Sequence, residues 1–148
     1  MPSTPEHFLT RRALVALALA AGAAPALAKG VRVVTVLGDS ITAGLGLPAN
    51  QALPARLEAA LNAAGTPVRV RGAGVSGDTS AGGLSRVDFS VQADTDLCIV
   101  ALGGNDLLQG LDPKATRANL DRIVRRLKAR RIGVLLAGIA APTAIGSG

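Results

Sequence analysis

Aromatic residues are almost absent from this sequence. The chain holds two phenylalanines, Phe8 and Phe89, with no tryptophan and no tyrosine. A hydrophobic core must therefore be built from leucine, valine, isoleucine and alanine. The composition, 49% hydrophobic and 18% charged, is typical of a globular protein, and 148 residues suffice for one domain. With so few aromatic side chains, the protein is poorly suited to bind sugar rings or nucleic-acid bases by stacking.

Cysteine and histidine are equally scarce. Cys98 is the only cysteine, so no internal disulfide can form, and its place in the apolar run Leu97–Val100 predicts an inert core residue. His7 is the only histidine. Because histidine is the side chain that enzymes use most often as a general base, the sequence offers few candidates for that role.

The charge balance is basic, with 16 lysine and arginine residues against 10 aspartate and glutamate residues, a formal net charge of +6. Such a balance is found in proteins that bind nucleic acid or anionic membranes. Here no aromatic residue is interleaved with the basic ones, which favours a solvated surface and predicts no nucleic-acid partner. A basic surface that binds nucleic acid or anionic lipid stays open as an alternative, which a steep salt dependence of binding would reveal.

The N-terminal residues 1–28 have the pattern of an export signal. Arg11-Arg12 is followed by a short apolar stretch from Ala13 to Ala24 and by the small-residue cleavage pattern Ala26-Leu27-Ala28. The apolar stretch is too short for a stable membrane span. We therefore expect a periplasmic or secreted protein, exported by the twin-arginine or the general secretory route, with one domain over residues 29–148.

Strands and helices alternate through the rest of the chain. Apolar runs rich in β-branched residues predict strands, and apolar residues at helical spacing predict helices. The predicted strands are Arg32–Leu37, Val68–Arg71, Leu97–Leu102 and Ile132–Ala137. The predicted helices are Ala52–Ala64, Ala81–Val91 and Lys114–Arg130. This order predicts an α/β fold, a parallel sheet with helices on both faces, in which the short and partly polar second strand lies at an edge.

Three of the predicted strands are followed by small and polar residues. The three segments are Gly38-Asp39-Ser40, Gly74-Val75-Ser76-Gly77-Asp78 and Gly103-Gly104-Asn105-Asp106. Ligands of open α/β sheets bind at the carboxyl ends of the strands, so these segments predict one shared crevice. A serine in such a turn could simply cap a helix or close the turn. A phosphate-binding P-loop is excluded, because no lysine follows Gly44.

The third interpretation of Ser40 is a catalytic nucleophile. A serine hydroxyl needs a base to activate it, and the oxyanion formed when it attacks a carbonyl needs hydrogen-bond donors. The backbone N–H groups of Ser40 and Gly77 and the side-chain amide of Asn105 would give three converging donors. Three donors around one nucleophile meet the requirement for acyl transfer.

The three segments resemble the first three conserved blocks of the SGNH, or GDSL-type, hydrolases. The similarity is greatest to the small exported bacterial branch described as acyl-CoA thioesterase, lysophospholipase and arylesterase, and it runs from Val31 to Pro142. The resemblance implies a three-layer α/β/α, flavodoxin-like fold, with Ser40 as nucleophile and an oxyanion hole formed by Ser40, Gly77 and Asn105. It also implies hydrolysis of small-molecule or lipid esters or thioesters, with no cofactor and no metal.

The family's fourth block, a D-x-x-H motif after a fifth strand, is absent from the printed chain. We therefore expect the chain to be C-terminally incomplete and to lack the last strand and helix of the fold. Strand four would then have a bare edge, and the chain would be catalytically impaired. Asp39, Asp78 and Asp106 lie near Ser40 by motif position, but hydrogen bonding in loops and helix capping explain them, and none is assigned as the base. The alternative function is a non-catalytic module that binds an acyl or carbohydrate ligand in the same crevice.

Overall fold

The computed structural model describes residues 30–138. The predicted export signal at residues 1–28, which includes His7, and residues 139–148 lie outside this part of the chain. The strands are β1 (Arg32–Gly38), β2 (Val68–Gly74), β3 (Leu97–Ala101) and β4 (Gly133–Leu136). The helices are α1 (Ser40–Ala43), α2 (Leu53–Ala63), α3 (Ser80–Ser90), α4 (Gly104–Leu108) and α5 (Pro113–Ala129), and Ala49–Gln51 form a 3₁₀ turn.

The four strands form one parallel sheet in the order β2-β1-β3-β4. The predicted parallel α/β fold is confirmed, and so is the position of β2 at an edge of the described sheet. All predicted boundaries but one lie within one residue of those in the structure. The prediction ended the second strand too early, at Arg71, because the glycines that follow have low β-propensity. In the structure β2 continues to Gly74, in register with β1.

The small residue at Gly74 allows α1 to pack closely on the end of β2. A Cβ at this position would overlap the backbone of Ala43 and Thr42. A larger side chain here would therefore displace the short helix that begins with Ser40. Glycine at this strand end thus has a packing role that β-propensity alone does not reveal.

The main hydrophobic core lies between the sheet and helices α3 and α5. Its fully buried members come from both layers and include Leu37, Val87, Val91, Cys98, Val100, Ile123 and Leu127. Helices α1 and α2 pack on the other side of β1 and β2, where Val34 and Val36 are buried. Cys98 is confirmed as a core residue: burial raises the pKa of its thiol to about 11, so the thiol is protonated and unreactive at neutral pH.

Two basic residues near the end of α5 contact α3. Arg126 Nη1 lies 3.1 Å from Asp88 Oδ2, and Arg130 Nη2 donates to the Val91 carbonyl at 2.5 Å. Positive charge in the last turn of a helix also suits the helix dipole. Part of the basic cluster therefore belongs to the packing of α5 against α3.

β4 is the least covered strand of the described sheet. Leu135 and Leu136 are 53% and 50% exposed, although they alternate between the two faces. Within residues 30–138 the only strand that pairs with β4 is β3. None of the helices in this part of the chain combines the length and apolar character that crossing a bilayer would require.

Candidate active site

Three strand ends lie side by side at the carboxyl edge of the sheet. Gly38 in β1 pairs with Gly74 in β2 and with Ala101 in β3. Ser40 follows β1 directly, and the chain reaches the other predicted site residues, Gly77 and Asn105, shortly after β2 and β3. The fold therefore brings the three segments that carry the predicted site residues to one edge of the sheet.

Ser40 is the first residue of the short helix α1. Asp39 caps this helix, because its Oδ1 accepts a hydrogen bond from the Ile41 N–H at 3.0 Å. Capping is the role that the sequence suggested for Asp39. The first N–H groups of a helix have no acceptor within the helix, so the Ser40 N–H is not used in the helical ladder. Ser40 itself is half-buried.

Gly77 lies in a tight turn that is anchored to β1. The Val75 N–H donates to the Gly38 carbonyl at 3.0 Å, and the Asp78 N–H closes the turn by donating to the Val75 carbonyl at 3.1 Å. Gly77 has a φ of 80°, the positive value that a type II turn requires at its third position and that glycine adopts without strain. The hydrogen bond that closes the turn leaves the Gly77 N–H outside it.

Asn105 is held next to this turn by its side chain. Its Nδ2 donates to the Asp78 carbonyl at 2.8 Å, and the residue is half-buried. A primary amide nitrogen carries two hydrogens, so this bond uses one of them and leaves a second donor. The bond connects the segment after β3 to the residue that follows Gly77.

This edge of the sheet carries donors but no histidine. Residues 30–138 contain no histidine, since His7 is the only one in the sequence. The nearby carboxylates are engaged in other contacts: Asp39 caps α1, Asp78 pairs with Arg86, and Asp106 binds Ser80. The described residues therefore provide no side chain in the usual role of base.

Asp106 holds the helix of Asn105 against α3 and α5. Its carboxylate accepts hydrogen bonds from the Ser80 N–H at 2.7 Å, from the Ser80 hydroxyl at 2.5 Å and from the Thr116 hydroxyl at 3.0 Å. The side chain is 2% exposed. Burial acts to raise the pKa of Asp106, but the hydrogen bonds outweigh it and hold the pKa below its ordinary value. The sequence placed Asp106 in a loop contact and did not reveal its partners.

Replacing Asp106 with asparagine is expected to lower the free energy of unfolding by about 1.5–3 kcal/mol near neutral pH, the usual worth of a hydrogen bond to a charged group. The folded-state pKa is below the unfolded one, so this contribution is fully present above pH ~4 and is lost as the pH falls through the folded-state pKa. Urea unfolding from pH 3 to pH 7 would measure it. The matched change Asp121→Asn removes an exposed partner of Arg125 and should cost less than about 1 kcal/mol at every pH. Equal losses in both variants would contradict the role of Asp106.

Arg86 is the residue near this edge that the sequence did not identify. It lies on α3 and its guanidinium contacts Asp78 Oδ2 at 2.8 Å. A basic residue in a helix is usually solvated, and the apolar pattern of this helix is weak, so nothing in the sequence distinguishes Arg86 from the other arginines. Only the folded arrangement shows that its side chain is turned toward the strand ends.

Apolar surface adjoins the candidate site. Ile41, Val75 and Leu108 are 68%, 46% and 75% exposed, and each lies in a segment that carries a predicted site residue. A groove of about 530 Å³ lies between α4, α5 and β4 and is lined by neither Ser40 nor Gly77.

In residues 30–138, no group of three or more histidine, cysteine, aspartate or glutamate side chains is placed to hold a metal ion.

A model of the GDSL-like lipase/acylhydrolase family matches residues 36–147. The chain is 42% identical to the esterase TesA of Pseudomonas aeruginosa over 108 residues, which are 72% of this chain and 54% of TesA. It is 37% identical to the thioesterase 1/protease 1/lysophospholipase L1 of Escherichia coli, over 75% of this chain and 52% of that protein. The chain thus spans about half the length of the curated relatives it matches.

Solved structures agree with the fold. The crystal structure of AlinE4, an SGNH-hydrolase family esterase, superimposes with a TM-score of 0.74 at 48% identity, over 79% of this chain and 64% of AlinE4. The crystal structure of TesA superimposes with a TM-score of 0.72 at 39% identity, over 78% of this chain and 65% of TesA. The predicted flavodoxin-like α/β fold is confirmed by this likeness together with the parallel sheet.

Proposed function

The chain belongs to the GDSL-like lipase/acylhydrolase family, and on this premise we propose that it is a serine hydrolase of carboxylic esters or acyl thioesters. A general base takes the proton of Ser40 Oγ as this oxygen attacks the carbonyl carbon and forms a tetrahedral intermediate. Collapse of the intermediate passes that proton to the departing alcohol or thiol and leaves an acyl ester on Ser40, which water then hydrolyses to the free acid, restoring the Ser40 hydroxyl. The observation that carries the proposal is the register of β1, β2 and β3, whose ends place Ser40, Gly77 and Asn105 at one edge.

The oxyanion of the tetrahedral intermediate is held by three donors. These are the backbone N–H groups of Ser40 and Gly77 and the amide hydrogen of Asn105 that does not bind Asp78. Donors that are fixed before the reaction stabilise the developing negative charge without reorganisation. This electrostatic stabilisation is usually the largest single contribution to the rate enhancement. Here the turn that holds Gly77 and the bond from Asn105 to Asp78 supply that fixation.

The substrate has an apolar acyl group. The exposed side chains of Ile41, Val75 and Leu108 flank the strand ends and favour an aliphatic or aromatic acyl chain over a charged one. The names of the relatives, an esterase and a thioesterase/lysophospholipase, point to the same class of small-molecule or lipid ester. Residues 1–28, acting as an export signal, would deliver the enzyme to the periplasm or the medium.

The general base comes from outside residues 30–138. No histidine follows His7 in the printed sequence, and the carboxylates near Ser40 are bound to other groups. A D-x-x-H segment encoded beyond the codon for Gly148 would supply the base. On this proposal the printed chain has the nucleophile and the oxyanion donors but turns over esters slowly.

Sequencing the genomic DNA past the Gly148 codon, in all three frames, tests this proposal first. A D-x-x-H motif within about 30–60 residues, roughly one strand–helix unit, is the expected result. The printed and the extended chains, both without residues 1–28, are then assayed on a p-nitrophenyl ester of a short fatty acid. We expect turnover by the extended chain at least about 10³-fold faster. The proposal would be overturned if no such motif follows and the printed chain turns over no ester, or if the motif is present and the extended chain turns over no ester.

A non-catalytic binding module is the second candidate function. The absence of histidine from residues 30–138 favours it, because the same crevice could hold an acyl ligand without turning it over. Saturable binding of a fatty acid by the printed chain, without ester hydrolysis by any longer form, would support this alternative.

A further inference from the structure

The guanidinium of Arg86 contacts several chain segments at once. Nε donates to Asp78 Oδ2 at 2.8 Å, Nη2 to the Gly38 carbonyl at 2.9 Å, and Nη1 to the Ala73 carbonyl at 2.9 Å and to Ser90 Oγ at 3.1 Å. The side chains of Arg86 and Asp78 are 18% and 13% exposed. Every nitrogen of the group thus has an oxygen partner in a largely desolvated place.

Three of these partners belong to the chain segments around the candidate site. Gly38 is the last residue of β1 and lies two positions before Ser40. Ala73 lies near the end of β2, just before the turn, and Asp78 follows Gly77 directly. One planar group therefore contacts the end of β1, which precedes Ser40, and the residues on both sides of Gly77.

We propose that Arg86 is a positioning residue for the oxyanion hole, which fixes the turn from Val75 to Asp78, and with it the Gly77 N–H, against the end of β1. The catalytic meaning of this inference rests on the proposed function. Asp78 extends the effect, because its carbonyl accepts the hydrogen bond from Asn105. A shift of Asp78 would move the Gly77 and the Asn105 donors together.

Arginine suits this task better than lysine. Its guanidinium is planar, always charged, and presents donors in a fixed fork, so it can bind three oxygens on different segments. A lysine ammonium is a single compact charge and cannot span the same partners. Arg86→Lys therefore keeps the charge and most of the side-chain volume but loses the connection between the segments, which makes it a discriminating variant.

Amide hydrogen exchange, followed by NMR on the 148-residue chain, tests the inference without any need for catalysis. The amides of Val75 and Asp78 report on the turn, since they bond to Gly38 and Val75, and those of Val36 and Val100 report on the sheet. We expect Arg86→Lys to speed exchange of the turn amides by about tenfold or more. The sheet amides should change by less than about threefold, because local openings do not require global unfolding.

The matched control is Arg126→Lys. Arg126 also pairs with a carboxylate of α3, Asp88, but it is 43% exposed and contacts none of the three segments. The Arg126→Lys variant should leave the exchange rates of all four amides near those of the unmodified chain. Equal acceleration of turn and sheet amides in Arg86→Lys, or no acceleration of the turn amides, would overturn the inference in favour of a general stabilising role.

A kinetic measurement separates positioning from mere stability. In whichever form of the protein hydrolyses esters, Arg86→Lys should lower kcat by about 10- to 100-fold with KM changed by less than about threefold, because a small displacement of the donors affects the transition state most. An unchanged kcat would overturn the catalytic part of the inference. If no form hydrolyses esters, the proposed function fails, while the exchange rates still decide whether Arg86 holds the turn.

Discussion

Replacing Ser40 with alanine should lower kcat for ester hydrolysis by about 10⁴- to 10⁶-fold in the extended form of the chain, the range seen when a serine nucleophile is removed. The loss is large because alanine cannot form the acyl-enzyme, whereas the oxyanion donors stay in place. Ser40 lies at the first turn of α1, and its side chain does not cap the helix, since Asp39 has that role. The variant should therefore fold normally.

The control for this variant is Ser85→Ala. Ser85 is an exposed serine of α3 whose hydroxyl bonds to the Gly82 carbonyl, away from the strand ends. Its loss should change kcat by less than about twofold, as expected for an exposed surface position. A phosphonate inhibitor that reacts with activated serines should add its mass to the extended chain and to its Ser85→Ala variant but not to its Ser40→Ala variant. Hydrolysis by Ser40→Ala at even a tenth of the native rate would refute Ser40 as nucleophile.

The layout of the sheet could be predicted from the sequence because buried parallel strands and amphipathic helices have strong local patterns. The runs that became β1 and β3 are apolar and rich in β-branched residues, and α5 has a clear apolar face ending in Ile123 and Leu127. The end of β2 had no such pattern. Its glycine-containing tail pairs with β1, and α1 packs against Gly74; both are contacts between separate segments that no local pattern contains.

Contacts between side chains from distant segments were beyond prediction. The sequence predicted Ser40, Gly77 and Asn105 as site residues, because each follows a strand and the carboxyl ends of parallel strands lie at the same end of a sheet. Asp106 and Arg86 differ, since their roles depend on partners far away in the sequence: Ser80 for one, Gly38 for the other. A charged residue has the same appearance in a sequence whether it is solvated or satisfied by buried oxygens, so only the fold separates the two cases.

Asp106 and Arg86 each hold one of the segments that carry the proposed oxyanion donors. Asp106 fixes the helix that follows β3, and Arg86 fixes the turn that follows β2. Between them lies the bond from Asn105 to the Asp78 carbonyl. The Gly77 and Asn105 segments are therefore held by a network of buried and part-buried polar contacts, and a rigid arrangement of donors is what electrostatic stabilisation of a transition state requires.

The second large effect is expected from Asn105→Ala. Removing one donor of an oxyanion hole costs about 10²- to 10³-fold in kcat, and KM should change little because the oxyanion exists only after Ser40 has attacked. The variant also loses the bond to the Asp78 carbonyl, so part of the effect comes from a looser turn. Steady-state kinetics on the extended chain would measure both constants, and comparison with Arg86→Lys would show how much of the loss is due to the turn alone.

Asn62→Ala is the matched control for Asn105. The Asn62 side chain also bonds to backbone, accepting from the Val68 N–H at 2.9 Å and donating to the Val68 carbonyl at 3.3 Å. Val68 begins β2 and lies at the amino ends of the strands, whereas Ser40 follows the carboxyl end of β1. Asn62→Ala should therefore lower stability and leave kcat within about twofold. A loss below tenfold in Asn105→Ala would count against Asn105 as a donor. In that case the N–H groups of Ser40 and Gly77 would have to hold the oxyanion by themselves.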